Sequence, residues 1–104
     1  MLVVMTSFPD ADAAATAART LVEEKLAACG SILPGARSIY RWQGKTEDTA
    51  EVLLLLKTEA SSYAKLEKRL AKIHPYEVPE IMAWEPGAVH RPYAAWVAAA
   101  LGEV

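Results

Sequence analysis

The stretch HPYEVPE, His74 to Glu80, sets a histidine, a tyrosine and two glutamates among two prolines. A neutral imidazole is a common ligand for copper, zinc and nickel. Glu77 and Glu80 follow His74 by three and six residues, so a curled loop can bring carboxylate oxygens into the same coordination sphere. Pro75 and Pro79 restrict the loop and lower the entropy lost in ordering it. The same residues also read as a stiff connector. A histidine at a helix C-terminus is favoured by ~0.3–1 kcal/mol when charged, and the residue before a proline avoids the helical region. The connector reading comes first and metal contact second, because a short motif without spatial convergence says little about chemistry.

Three further residues have chemical potential. Cys29 is the only cysteine, which excludes an intrachain disulfide and a thiolate zinc cage from one chain. On the apolar side of the first expected helix it reads as a small buried hydrophobe. Lys57 closes a leucine-rich strand, either as a cationic clamp or as an edge lysine that discourages sheet aggregation. Trp42 reads as an interface anchor before a ligand wall. His90, beside Arg91-Pro92, is poorly placed to share a metal. The chain shows no P-loop, no GxGxxG, no Ser/His/acid arrangement and no paired-carboxylate motif, so a non-enzyme is expected.

These residues need elements to position them. LVVMTSF, Leu2 to Phe8, is nearly continuous apolar sequence and predicts a central strand. Asp10 is a candidate N-cap for a helix in which Ala11, Ala15, Ala18, Val22, Leu26 and Cys29 share a face, with Gly30 ending it. Ser31 to Gln43 reads as a long strand with a bulge or bend at Pro34-Gly35. A turn at Gly44-Lys45 leads to the partner strand, EVLLLLKT, whose leucine run implies burial on both faces. Ser61 or Ser62 caps a second helix with a stripe of Tyr63, Leu66, Leu70 and Ile73, stopped at His74-Pro75. A short strand within Pro79 to Pro86 and a last helix bearing Tyr93, Trp96, Val97, Ala100 and Leu101 on one face complete the pattern. The order β-α-β-β-α-β followed by α predicts an α+β ferredoxin-like sandwich, an antiparallel sheet with two helices on one face. Strands apolar on both faces then require a partner for the other side of the sheet, which predicts self-association.

The chain has 104 residues and 53% hydrophobic composition, enough for one domain, 1–104, with a core that needs no disulfide. Acidic residues outnumber basic ones, 13 to 11, which argues against nucleic-acid and anionic-membrane partners. Met1 leads directly into LVVM with no charged leader region, and no run approaches the ~18–20 apolar residues of a membrane span. The expected location is cytoplasmic.

Four blocks in order, LVEEKLAACGSILPGARSIYRWQGK, EVLLLLKT, HPYEVPEI and the terminal YAAW, closely resemble the CutA divalent-cation tolerance family over essentially the whole chain. The resemblance implies a noncatalytic cytoplasmic homotrimer of ferredoxin-like subunits, similar in architecture to PII signalling proteins. It implies binding of, or response to, copper and other divalent cations, with metal contact at His74, joined by Glu77, Glu80 and Met5. It also implies an intersubunit cleft near Cys29, Trp42, Lys57 and Tyr76, where a PII-like protein would hold a small anion or a protein partner. Some copper-binding members have a cysteine in the first strand and a further histidine before HPY as proposed ligands. Here those positions hold Met5 and Ile73, and a thioether suits Cu(I) better than Cu(II) or Zn(II).

Overall fold

A computed structural model of the chain describes residues 1–102; the last two positions of the expected domain, 103 and 104, lie outside the described residues. The element order is β1 (Leu2–Phe8), α1 (Ala11–Glu23), β2 (Cys29–Trp42), β3 (Lys45–Thr58), α2 (Ala60–Ile73), β4 (Ile81–Trp84) and α3 (Arg91–Gly102). The strands form one antiparallel sheet in the order β2-β3-β1-β4. This is the expected α+β split βαβ sandwich, with β1 and β3 central.

Strand alternation divides the sheet into two unlike faces. Val4, Thr6 and Phe8 of β1 and Val52, Leu54, Leu56 and Thr58 of β3 are buried on the side covered by α1 and α2. Leu66 and Leu70 of α2 and Ala14, Ala17 and Leu21 of α1 close that core. Each fully buried leucine contributes on the order of 2 kcal/mol through removal of apolar surface from water. The opposite face carries Val3, Met5, Leu53 and Leu55, half-buried, and Leu33, Met82 and Trp84, exposed. The final helix, α3, covers part of this second face: Tyr93 reaches Cys29 with Oη 3.4 Å from Sγ, and Val97 is completely buried.

Local structure follows the sequence closely at some points and departs from it at others. The Asp10 carboxylate accepts the Ala13 N–H at 2.8 Å, a capping bond worth about 1 kcal/mol. The buried face of α1 is Ala14, Ala17 and Leu21, not the expected stripe, and Val22 is 37% exposed. The helix stops at Glu23, with Lys25 in the left-handed region (φ 60°). Gly30 is therefore a strand residue rather than a helix stop. Its value is close approach: an added Cβ would lie 3.1–3.3 Å from Leu56, Leu54 and Ala18. In α2 the N-cap is Glu59, without a side-chain capping bond, in place of Ser61 or Ser62.

The β2–β3 hairpin is long because its signals agree. Gln43 and Gly44 both have positive φ (50° and 79°), and Trp42 pairs with Lys45, the two-residue hairpin geometry that matches strand twist. The expected irregularity at Pro34-Gly35 is a bulge, with pairing shifted between Leu33 and Ala36. The proline is tolerated because β2 is an edge strand. Arg37 grips Asp48 with two charge-assisted bonds of 2.8 and 2.7 Å across the ladder.

Candidate functional site

His74 caps α2 with extended backbone (φ −69°, ψ 139°), as the following proline demands. The turn aims its ring at β1. Nδ1 accepts the Tyr76 N–H at 3.1 Å, which leaves the proton on Nε2, and Nε2 donates to the Ser7 carbonyl at 2.8 Å. The ring also stacks on Phe8, centroids 4.3 Å apart. Burial pushes the imidazole pKa below its ordinary value, against the smaller opposing pull of the Ser7 carbonyl and Glu51. His74 is thus held neutral in one tautomer with both nitrogens engaged. A metal ion at either nitrogen would have to break one of these bonds.

The next residue but one continues the contact inward. Tyr76 donates its hydroxyl to Glu51 Oε2 at 2.7 Å. Burial, followed by the Glu51 hydrogen bond and charge, raises the phenol pKa well above its usual value, so the hydroxyl remains a donor at any physiological pH. Glu51 is 8% exposed and stands at mid-length of β3, paired with Ala36 of β2. Alternation places it on the open face, two residues along from Leu53.

Between the hairpin, β3 and the HPYEVPE loop lies a cavity of about 630 Å³. Trp42, Tyr76, Glu77 and Glu80, all singled out from sequence, line it together with Tyr40 and Glu51. The other expected site residues stand elsewhere. Lys57 is six residues along β3 from Glu51, roughly 20 Å at strand rise, and its ammonium donates to Ser31 Oγ at 2.9 Å and the Leu55 carbonyl at 3.3 Å. Cys29 pairs with Lys57 in register and contacts Tyr93; it opens β2 and is half-buried, not a core residue of the first helix. Met5 sits mid-sheet between Leu55 and Met82. Among the described residues no three His, Cys, Asp or Glu side chains come close enough to hold a metal ion.

Sequence reasoning missed Glu51 and Tyr40. The available signal was a glutamate whose strand position shares a face with Leu53 and Leu55, an acid placed where an apolar residue belongs.

A sequence profile of the CutA1 divalent ion tolerance protein matches residues 2–100. The chain belongs to the CutA family. It is 46% identical over 95 residues to a divalent-cation tolerance protein CutA of Thermus thermophilus, covering 91% of this chain and 92% of that protein. The crystal structure of CutA from Xylella fastidiosa superposes with a TM-score of 0.92 at 40% identity, covering 96% of each chain. A CutA structure from Archaeoglobus fulgidus, described as a periplasmic divalent cation tolerance protein, superposes with a TM-score of 0.92 at 27% identity, covering 97% of this chain and 99% of that one. CutA membership agrees with the resemblance carried by the four sequence blocks. No described helix is long and apolar enough to cross a membrane.

Proposed function

We propose that this CutA chain acts without catalysis, as a cytoplasmic homotrimer that binds copper or another divalent cation and so contributes to metal tolerance. The observation that carries the metal contact is the placement of Glu77 and Glu80, exposed carboxylates on the lining of one cavity. Oxygen donors of this kind suit a divalent ion. His74, whose nitrogens are both spent within the chain, serves this reading as the residue that sets the loop. The exposed Leu33, Met82 and Trp84 on the open sheet face support self-association, since sheets with one bare apolar face bury it against a partner. The alternative of a PII-like anion site finds less support, because Lys57 is directed to Ser31 and Leu55 and lies far along β3 from the cavity.

Calorimetric titration with Cu²⁺ and Zn²⁺, with oligomer mass measured by light scattering in the same buffer, tests both parts. A trimer that binds with integral stoichiometry and loses about ten-fold or more in affinity in Glu77→Gln/Glu80→Gln supports the reading. Unchanged affinity in that double variant removes the loop carboxylates from the site, and a monomeric mass removes the trimer.

A further inference from the structure

We draw no further inference here: the strongest candidate, the cavity between the hairpin, β3 and the HPYEVPE loop, belongs to the site already described and lies on the sheet face that self-association covers, and nothing in the structure shows what fills it there.

Discussion

The middle of β3, at Glu51, and its C-terminal end, at Lys57, carry opposite charges on the same open face, and the protein treats them differently. At one end the Lys57 ammonium is spent locally, on Ser31 and the Leu55 carbonyl, close to Cys29 and the cover of α3. At mid-strand Glu51 is more deeply buried but has one neutral hydroxyl donor, with a cavity in front of it. A flexible ammonium finds acceptors on any nearby strand, because carbonyls and hydroxyls are abundant there. A buried carboxylate needs donors, and strand N–H groups are already committed to the ladder. The difference leaves the mid-strand carboxylate facing the cavity and the terminal ammonium closed on neighbouring strand groups.

That contrast can be broken from the histidine outward. His74→Ala removes the Phe8 stack and leaves the Ser7 carbonyl and Tyr76 N–H unpaired, so urea unfolding should show a loss of about 3 kcal/mol. A loss under 1 kcal/mol would mean that the loop does not depend on its imidazole. Tyr76→Phe removes the hydroxyl donor from Glu51 and should cost about 1–2 kcal/mol by the same measurement. At the C-terminal end of β3 Lys57→Met should change stability by less than about 1 kcal/mol, since its charge-neutral contacts are part-exposed; a larger cost would erase the distinction between the two regions.

Titration sharpens the comparison further. The folded pKa of His74 lies below its ordinary value of 6.5, so the unfolded chain binds the extra proton first as pH falls. The stability due to this group is present above the unfolded pKa, near ~6.5, and is lost as pH drops through the lowered folded value. The midpoint of urea unfolding should therefore fall with acidification below about pH 6.5 in the wild type and fall less in His74→Gln. Equal slopes would assign the acid sensitivity to other groups. The smallest effect belongs to the far end. Tyr93 is pushed up to about 12, by its hydrogen bond with Cys29 first and burial second. In Cys29→Ala its ultraviolet-detected ionisation should move back toward the usual tyrosine range. No movement would remove the thiol as the cause.

Most of the fold could be read from local pattern. The Asp10 cap, the bulge at Pro34-Gly35, the α2 stripe and the stop at His74-Pro75 each depend on a few adjacent residues, and each stands where expected, whereas the turn expected at Gly44-Lys45 lies one residue earlier, at Gln43-Gly44, because Lys45 already pairs with Trp42. The α1 stripe was misread because alanine marks no side of a helix: Ala11, Ala14, Ala15, Ala17 and Ala18 satisfy several registers, and only contact with Leu54, Leu56 and Leu70 selects one. Gly30 looked like a helix stop for a similar reason. A glycine that ends a helix and a glycine that admits one look alike in a string of letters.

Of the candidate site, the sequence by itself determined that HPYEVPE would be rigid, that His74 would leave the helix, and that one side of the sheet would be apolar without two helices to cover it. It also carried family membership, because four ordered blocks are specific without any coordinates. Tertiary structure alone decided that both His74 nitrogens are spent on Ser7 and Tyr76, that Glu51 meets Tyr76, and that Lys57 stands a strand's length from the cavity. Composition and spacing report what a side chain can offer. Whether a donor or acceptor is still free depends on partners far away in sequence, such as Ser7 for His74 and Glu51 for Tyr76, and only the folded chain brings those together.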